Sequence, residues 1–497
     1  MKSVKFRHLA TSAVAVVASL VATSAVQAAV PPAPWHLDRI NQRSGPLDGN
    51  VDLGALTGAG INVYIVDSGI RQSHEQFSGR VFAGTDPVSS TQQSQAVDPR
   101  SSDCDGHGTH VAGLATGSSV GVAKGANVIA VRVLNCEGLG TVDNVVAALK
   151  WIRSHHVSGT AAVVNLSIGV DRGDNGDEID EQIQRLIDEG VVVTVAAGNG
   201  DDNGTPFNAC DISPAHVTGA LTVGASTQND QIASYSNRGP CLDLLAPGGD
   251  SSEKILSAWK NFDADYAFDV GTSMASPLVA GYAALLAQQQ PGLCAAQISQ
   301  AIVERATPNV LTGLDASTPN RLLYLDTSPV AASTPGMPSH IITSVSNGSV
   351  LVSWDPSCDG GSPLLGTTVS LIRKGKVLQK KTVPPGVNTV RFSKLSNNLT
   401  YRVKIVATNA LGDGRSSARI QTTTVQRLRP GRTILASSVA KLADGLTLNW
   451  KVASQSKTIC KIVKNPTRVR FLRSGTCRIE FRTHAGATPV IHRVRVR

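Results

Sequence analysis

Three residue types that together can perform nucleophilic catalysis occur in turns of this sequence. Asp67 ends the apolar run "VYIVD", His107 lies in "DGHGTHVAG", and Ser273 lies in "GTSMASP". A serine hydroxyl becomes a nucleophile only when a base removes its proton, and that base needs a partner that holds its tautomer. The three residues therefore supply an orienting carboxylate, a base and a nucleophile, in that order along the chain.

Each motif also has a purely structural interpretation. Ser273 is of a type that caps helices, and the proline that follows it suits a first turn. His107 and His110 have the spacing of a metal pair, but the arrangement differs from that of zinc proteases and no third ligand follows, which favours a packing role for His110. Asn199, at the end of "AAGN", adds an amide that can stabilise an oxyanion, and the complete set favours catalysis.

These residues need a scaffold that brings strand ends together. The segments "INVYIVDSG", "NVIAVRVL", "AAVVNLSIG" and "VVVTVAAGN" are rich in Val, Ile and Ala, which is typical of strands buried on both faces. Helix-like segments at 141–155 and 177–190 alternate with them. The alternation predicts an α/β domain with a parallel sheet, and ligands usually bind at the carboxyl ends of such strands.

The motifs "VDSG", "HGTHVAG" and "GTSMASP" resemble those of the subtilisin-like serine proteases, and "VRVLNCEGLGT" resembles their proteinase K and aqualysin-like branch. The resemblance covers about residues 34–328 and implies a subtilisin-like parallel sheet with flanking helices. It implies that Asp67 orients His107, which acts as base and then as acid, while Ser273 attacks the peptide carbonyl. Asn199 and the backbone N–H of Ser273 are expected to form the oxyanion hole.

The same resemblance implies a cleft that pairs with an extended substrate backbone, a mode of binding that tolerates many sequences. Its expected walls are small and uncharged, which favours apolar or aromatic residues before the cut. A narrow processing protease would need an acid-lined pocket instead. The wall residues are Ser167, Ile168 and Gly169 of "NLSIG" and Ala196, Ala197 and Gly198 of "AAG".

Calcium is the expected cofactor, as a stabiliser rather than a reactant. The stretch "LDRINQRSGPLDGN" resembles a calcium loop of the aqualysin-like enzymes and is dense in the hard oxygen ligands that calcium prefers. An asparagine at position 41, where an aspartate is more usual, should weaken this site. Ordinary surface turns are the alternative. The ligands of the first site are Asp38, Asn41, Gln42, Asp48 and Asn50, and those of a second are Asp243 and the backbone carbonyls of Thr218 and Ala220.

Eight cysteines fit export into an oxidising compartment. The resemblance pairs Cys104 with Cys136 and Cys210 with Cys241. Cys460 and Cys477 are expected to staple the last domain. The remaining two, at 294 and 358, either join the protease to the next domain or stay as thiols.

The chain divides into segments that differ in composition and in secondary-structure pattern. A basic start, a short apolar run and "VQA" predict a signal peptide over residues 1–28. Short alternating strands such as "VSWDPSCDGGSPLLG" and "YRVKIVATNALGDG" resemble a fibronectin type III domain, so β-sandwich domains are expected after the protease. The predicted units are a peptidase domain at 29–328, a linker at 329–335, a fibronectin type III-like domain at 336–425 and a small basic Ig-like domain at 427–497.

The net charge is divided unevenly along the chain. Residues 1–334 hold 19 Lys and Arg against 32 Asp and Glu, whereas residues 335–497 hold 27 against 5. The basic half is expected to bind an anionic cell-surface polymer, with no specific nucleic acid because no recognition motif is present. The sequence thus predicts a monomeric, secreted or cell-surface serine endopeptidase of broad specificity that works through an acyl-enzyme. A binding protein built on an inactive protease fold is the alternative, and the intact catalytic set argues against it.

Overall fold

The computed structural model describes most of the chain up to residue 423 and short segments beyond it. The described ranges are 34–52, 54–88, 103–157, 160–172, 176–201, 203–397, 399–417, 420–423, 433–435, 440–442, 449–452, 460–463, 468–472, 475–482 and 490–496. The predicted signal peptide lies outside them. Within these ranges, none of the helices combines the length and the apolar character needed to cross a membrane.

The first part of the chain alternates strands and helices as its apolar runs predict. Its helices are α1 (Trp35–Asn41), α2 (His107–Thr116), α3 (Val142–His155), α4 (Asp177–Asp188), α5 (Thr272–Gln289) and α6 (Ala295–Arg305). Its strands are β1 (Asn62–Asp67), β2 (Val81–Ala83), β3 (Asn127–Arg132), β4 (Ala162–Leu166), β5 (Val170–Asp171), β6 (Val192–Ala196), β7 (Ile212–Ser213), β8 (Leu221–Ser226), β9 (Leu244–Pro247), β10 (Ile255–Ala258), β11 (Tyr266–Asp269), β12 (Thr307–Pro308) and β13 (Arg321–Leu322).

A largely parallel sheet forms the centre of this part. Its strand order is β12-β13-β9-β8-β6-β4-β1-β3-β2, and the strands from β9 to β2 pair in parallel. The predicted α/β architecture is confirmed. β1 has β3 on one side and β4 on the other, so the order in which the chain adds strands to the sheet reverses at β1. Asp67 ends β1 at this switch point, which is where ligands bind in open α/β sheets.

Helices cover both faces of the sheet. Valine and isoleucine side chains of the strands pack on one face against α2, α5 and α6, and on the other against α3 and α4. Helix α5 is the central helix, because every residue from Thr272 to Ala287 is buried. A helix that is apolar or small on all sides is typical of such buried surroundings. Its N-terminus lies at the strand ends that carry predicted site residues, since Thr272 contacts Asn199 and Ser273 contacts Ser167.

The second part is a sandwich of two antiparallel sheets. Its strands are β14 (Ser339–Ser346), β15 (Ser349–Asp355), β16 (Leu364–Arg373), β17 (Lys376–Val383), β18 (Thr389–Phe392), β19 (Thr400–Asn409), β20 (Gly412–Asp413) and β21 (Ile420–Thr423). One sheet contains β18, β15 and β14, and the other β17, β16, β19, β20 and β21. Trp354 and Tyr401 lie in the core between the sheets.

The last described segments are strands β22 (Thr433–Leu435), β23 (Ala440–Leu442), β24 (Asn449–Val452), β25 (Cys460–Val463), β26 (Arg468–Phe471), β27 (Gly475–Arg482) and β28 (Val490–Val496). β23 pairs with β14, with Leu442 opposite Ile342. A strand from beyond residue 427 therefore extends a sheet of the preceding sandwich. The other strands form the sheets β22-β26-β25 and β24-β27-β28.

The segment at 329–335 is packed between the first two parts. A disulfide joins Cys294, at the start of α6, to Cys358 of the sandwich. The Gly360 N–H donates to Gly292 O at 2.9 Å, and Asn409 Nδ2 donates to Ser333 O at 2.7 Å. These contacts attach the sandwich to the α/β part by more than the covalent chain.

Candidate active site

Asp67 and His107 form a buried hydrogen-bonded pair. His107 Nδ1 donates to Asp67 Oδ1 at 2.8 Å, and the same oxygen accepts the Ser68 N–H at 2.7 Å. Both side chains are almost fully buried. The contact fixes the imidazole tautomer and leaves Nε2 as the nitrogen able to exchange a proton with a reacting group.

The close approach of α2 to the end of β1 creates this pair. A Cβ on Gly108 would lie 2.2 Å from Gly69 O, so a larger residue could not occupy this crossing. Gly106, which precedes the helix, has φ of +115°, a conformation that favours glycine. The His107 N–H donates to Asp105 Oδ1 at 3.0 Å. The motif "DGHG" therefore shapes the start of α2 and also contains the candidate base.

The surroundings of His107 favour its protonated form. Burial alone would lower its pKa, but the charge of Asp67, the hydrogen bond to it, and the charges of Asp269 and Asp105 together raise the pKa to about 9. Charges of opposite sign stabilise the imidazolium, which is the form that His107 adopts after taking a proton. His107 is thus a strong base, and its neutral form predominates only above about pH 9.

Ser273 is the second residue of α5, and its contacts are reciprocal with those of Ser167. The Ser273 hydroxyl donates to Ser167 O at 3.2 Å, and the Ser167 hydroxyl donates to Ser273 O at 2.9 Å. The residue four places after Ser273 is Pro277, which has no N–H to offer to that carbonyl. Ser167 therefore replaces the helical hydrogen bond that the proline removes.

Asn199 follows β6 and faces the start of the same helix. Its Oδ1 accepts the Thr272 N–H at 2.9 Å and the Thr272 hydroxyl at 2.7 Å. With the oxygen held in this way, the side-chain NH₂ is directed to the opposite side. The Ser273 N–H belongs to the first turn, where helical N–H groups have no partner within the helix. Together these two groups are suited to holding a negatively charged oxygen.

The predicted substrate walls lie at the ends of adjacent strands. Residues 167–169 connect β4 to β5, and residues 196–198 begin at the end of β6. A Cβ on Gly169 would lie 3.1 Å from Ile212 Cγ2, so this wall packs directly against Ile212. The Ala197 carbonyl accepts Asn237 Nδ2 at 2.8 Å, and Gly198 N–H donates to Thr272 Oγ1 at 3.1 Å. Both walls are uncharged, and hydrogen bonds hold Ser167 in one and Ala197 and Gly198 in the other.

A buried polar cluster behind Ser167 was missed by the sequence reasoning. Asn165 Nδ2 donates to Ser167 Oγ at 3.0 Å. Its Oδ1 accepts the hydroxyls of Thr194 at 2.9 Å and Ser276 at 2.7 Å. Asn165 thereby joins β4, β6 and α5. The available signal was an asparagine in an otherwise apolar strand, "AAVVNL", since a buried amide needs hydrogen-bond partners.

Two further carboxylates near His107 were also missed. Asp269 ends β11 and accepts the Val270 N–H at 2.8 Å, while Asp105 precedes the histidine by two positions. Their signals were their places in "FDVGTS" and "CDGHG".

His110 is buried, and its Nε2 lies 3.2 Å from Ile255 O and 3.1 Å from Ala267 O. Burial lowers its pKa to about 4. Over the described ranges, no group of three or more His, Cys, Asp or Glu side chains is placed to hold a metal.

The first predicted calcium loop has two oxygen atoms that fit a hard cation. Asp38 Oδ1 and Asn41 Oδ1 are buried and have no hydrogen-bond partner among the described residues. The other oxygen of Asp38 accepts the Gly49 N–H at 2.9 Å, which folds the loop over the helix. Within the loop, Gln42 donates to the carbonyls of residues 44 and 46, and Asp48 Oδ1 accepts the Asn50 N–H. Asp38 and Asn41 therefore fit as ligands, and the other three organise the loop.

The second predicted calcium site is a poorer fit. Asp243 Oδ2 accepts the Thr222 N–H at 2.8 Å, so one carboxylate oxygen already has a protein partner. Burial raises the pKa of Asp243 to about 6, against the backbone hydrogen bond from Thr222 and the charge of Arg321. Thr218 and Ala220 form a bridge with each other in the turn before β8. A proton competes with any cation at this carboxylate.

Four disulfides are present in the described part of the chain. Cys104 is bonded to Cys136 and Cys210 to Cys241, the pairs that the resemblance implies. Cys460 is bonded to Cys477 in the last segment. The two cysteines whose pairing was open, Cys294 and Cys358, are bonded to each other.

Comparisons with known proteins place these features in a family. The subtilase family profile matches residues 58–322, and that of the fibronectin type III domain matches 334–423. The chain is 45% identical over 293 residues to an extracellular serine proteinase of Thermus sp. (strain Rt41A), a match that covers 59% of this chain and 66% of the relative. It is 40% identical over 290 residues to the alkaline serine exoprotease A of Vibrio alginolyticus, covering 58% of this chain and 50% of the relative.

The solved structure of a cold adapted subtilisin-like serine proteinase matches with 40% identity and a TM-score of 0.53, covering 60% of this chain and all of that one. The chain spans half to two thirds of the length of the two curated relatives. The profile match extends over more than half of the residues and includes the end of β1, the start of α2 and the start of α5. By its sequence, its sheet and the motifs at the strand ends, this chain belongs to the subtilase family.

Proposed function

We propose that the chain is a serine endopeptidase that hydrolyses peptide bonds in proteins through an acyl-enzyme. The observation that carries this proposal is the buried Asp67–His107 pair at the switch point of the sheet, beside a helix whose first turn contains Ser273. Membership of the subtilase family supports it. The extracellular relative and the predicted signal peptide support secretion, with the mature protein free or held at the cell surface.

In this mechanism, His107 Nε2 takes the proton of the Ser273 hydroxyl as the oxygen attacks the carbonyl carbon of the substrate. The negative charge that develops on the carbonyl oxygen is stabilised by the Asn199 NH₂ and the Ser273 N–H. Removing such an amide costs about 2.7–4 kcal/mol in a relative of this protein. His107 then gives its proton to the leaving amine, and a water molecule activated by the same base hydrolyses the ester.

The substrate preference follows from the walls around the first binding pocket. Residues 167–169 and 196–198 are uncharged and, apart from Ile168, small, and Ile168 and Ala197 are buried. An extended peptide pairing with these segments is held by its backbone, so its sequence matters mainly at the pocket. We therefore expect broad specificity, with apolar or aromatic residues favoured over charged ones before the cut. A peptide library that varies this residue measures the preference, and equal cleavage after lysine would contradict it.

The first experiment compares casein hydrolysis by the secreted protein with that by its Ser273→Ala variant. The parent should hydrolyse casein, be inhibited by a fluorophosphonate and carry the label on Ser273, whereas the variant should do none of these. Ser252→Ala, which changes an exposed serine on a loop, is the matched control and should keep activity and label. A folded, disulfide-bonded parent without activity would favour the binding-protein alternative.

Calcium is proposed as a structural ligand of the first loop, with Asp38 and Asn41 holding it. A bound Ca²⁺ neutralises the buried carboxylate and joins the loop to α1, and it takes no part in the reaction. In the Ser273→Ala background, added calcium should raise the Tm, and Asp38→Asn should remove most of that increase. Asp52→Asn, a change at an exposed carboxylate of the neighbouring turn, should keep it. The second site, at Asp243, is proposed as the weaker one.

The basic C-terminal part is proposed to hold a monomeric enzyme at an anionic cell-surface polymer. Residues 335–497 carry 27 Lys and Arg against 5 Asp and Glu, and attraction of this kind weakens as salt screens it. Retention of the full chain on immobilised dextran sulfate should fall steeply as salt is added. Absence of retention at low ionic strength would refute this part of the proposal.

A further inference from the structure

The hairpin of β16 and β17 ends in an exposed segment that the proposed function does not use. We call residues 373–381, "RKGKVLQKK", the basic tip. The turn residues Lys374 and Gly375 have φ of +47° and +78°. This is a two-residue turn whose twist matches that of the flanking strands. The tip is therefore the end of a regular, narrow β-hairpin of the sandwich rather than a long irregular loop.

Positive charge is concentrated on the tip. It contains five lysines and arginines in nine residues, and no acidic residue occurs anywhere between Asp359 and Asp413. Among the described residues, these cations form no ion pair. Lys381 Nζ donates to the Arg391 carbonyl at 2.8 Å, which ties that side chain to its own domain. The remaining cations are at positions 373, 374, 376 and 380.

Two adjacent apolar side chains are exposed among these cations. Val377 is 56% exposed and Leu378 is 51% exposed. The pairing of the strands shifts here, because Ile372 lies opposite Val377 and Leu371 lies opposite Gln379. Leu378 is thus the extra residue of a β-bulge, a feature that re-aims side chains. The bulge leaves both apolar side chains exposed to solvent, whereas in a regular strand two successive side chains would point to opposite faces of the sheet.

Protection of a sheet edge does not explain this composition. β17 is an edge strand, and lysines on an edge discourage pairing with other chains. Exposed valine and leucine on the same edge have the opposite effect. A purely electrostatic partner, such as a soluble polyanion, would need the cations alone. The apolar pair indicates a partner that offers both negative charge and hydrocarbon.

We propose that the basic tip binds an anionic lipid surface, with its cations at the phosphate headgroups and Val377 and Leu378 in the adjoining acyl region. This inference rests on the proposed attraction of the basic C-terminal part to an anionic cell surface, and it names a lipid component of that surface as the partner of the tip. Interfacial binding combines electrostatic attraction with the burial of apolar side chains. Each cation near such a surface contributes a factor of about five in affinity, and burial of the apolar pair contributes a factor of at least about ten.

The experiment measures co-sedimentation of the full-length Ser273→Ala protein with vesicles at low salt. One set contains equal parts of phosphatidylglycerol and phosphatidylcholine, and the other contains phosphatidylcholine alone. The parent should bind the anionic vesicles and not the neutral ones. Val377→Ser/Leu378→Ser should bind the anionic vesicles at least about tenfold more weakly. Lys374→Gln/Lys376→Gln/Lys380→Gln should lose about a hundredfold.

Leu365→Ser/Leu411→Ser is the matched control, because these leucines of the same domain are 66% and 55% exposed but lie outside the tip. It should bind as the parent does. Val377→Ser/Leu378→Ser should also keep its retention on dextran sulfate and its Tm, which separates lipid contact from charge and from folding. Retention on dextran sulfate without binding to anionic vesicles would overturn the inference and leave the polymer partner standing. The inference would be overturned equally if Val377→Ser/Leu378→Ser kept both its binding to anionic vesicles and its retention on dextran sulfate. A parent that binds neither the vesicles nor dextran sulfate would refute both proposals.

Discussion

At the scale of single residues, the surroundings of His107 determine the pH at which the site can work. The histidine is buried beside Asp67, and the negative charges of Asp269 and Asp105 add to that of Asp67. A base must be neutral to accept a proton, and a pKa of about 9 leaves only about 1% of His107 neutral at pH 7. The same carboxylates would stabilise the imidazolium that forms during the proposed reaction.

We predict that kcat/KM rises about tenfold per pH unit from pH 7 and reaches a plateau above about pH 9. Asp269→Asn removes one charge that raises the pKa of His107 but keeps an oxygen for the Val270 N–H. The acid limb of the profile should therefore move to lower pH, with a larger share of the plateau activity at pH 7. The measurement is kcat/KM against pH for a peptide substrate.

Glu304→Gln, on α6, is the control for a general effect of removing negative charge. It should leave the limb in place. An Asp269→Asn profile that superimposes on the parent, or moves to higher pH, would contradict the assignment of His107 as the base.

At the scale of elements, the start of α5 depends on a neighbouring strand end. Pro277 removes the N–H that would bond to the carbonyl of Ser273, and the Ser167 hydroxyl takes its place at 2.9 Å. Asn165 orients that hydroxyl and connects it to β6 and α5. The helix therefore begins at a fixed distance from the β4 strand end, which is also a proposed substrate wall.

We predict that Ser167→Ala destabilises the protein by about 1–3 kcal/mol, because it leaves the buried carbonyl of Ser273 without a partner. In a Pro277→Ala background, the restored N–H at position 277 can bond to that carbonyl, so the same change should cost less. Urea unfolding of the four proteins of this cycle, in the Ser273→Ala background, measures the coupling. Additive effects would show that the two groups do not share the carbonyl.

At the scale of the whole molecule, the disulfide between Cys294 and Cys358 holds the sandwich against α6. The bridged residues are 64 positions apart, so the bond restricts a long stretch of the unfolded chain. Backbone contacts such as Gly360 to Gly292 act across the same junction. The junction thereby combines a covalent restraint with directional hydrogen bonds.

We predict that Cys294→Ser/Cys358→Ser lowers stability by about 2–4 kcal/mol and makes the segment at 329–335 accessible to added elastase. Thermal unfolding and the rate of cleavage at this segment, both in the Ser273→Ala background, are the measurements. Cys460→Ser/Cys477→Ser removes a bridge over only 17 positions in the last segment and should leave cleavage at 329–335 unchanged. Equal cleavage rates in the two double variants would count against a joining role.

Local patterns in the sequence were enough to predict several features of the chain. Apolar runs that end in Gly, Asp or Asn predict buried parallel strands, because only a strand covered on both faces is continuously apolar. The motifs around Asp67, His107 and Ser273 predict the chemistry, because residue types and their order along the chain are local information. Charge counts likewise separate an acidic first part from a basic second part without any coordinates.

Other features depend on residues that are distant in the chain and adjacent only in the folded protein. The contact of Ser167 with the Ser273 carbonyl and the approach of Asp269 to His107 require the packing of α5, β4 and β11, which no local pattern encodes. The exposure of Val377 and Leu378 depends on a bulge in strand pairing, and the Cys294–Cys358 bond depends on how the sandwich meets α6. The sequence by itself determined which groups are available for chemistry. The tertiary structure decided their distances, burial and electrostatic surroundings, because those arise from contacts between separate elements.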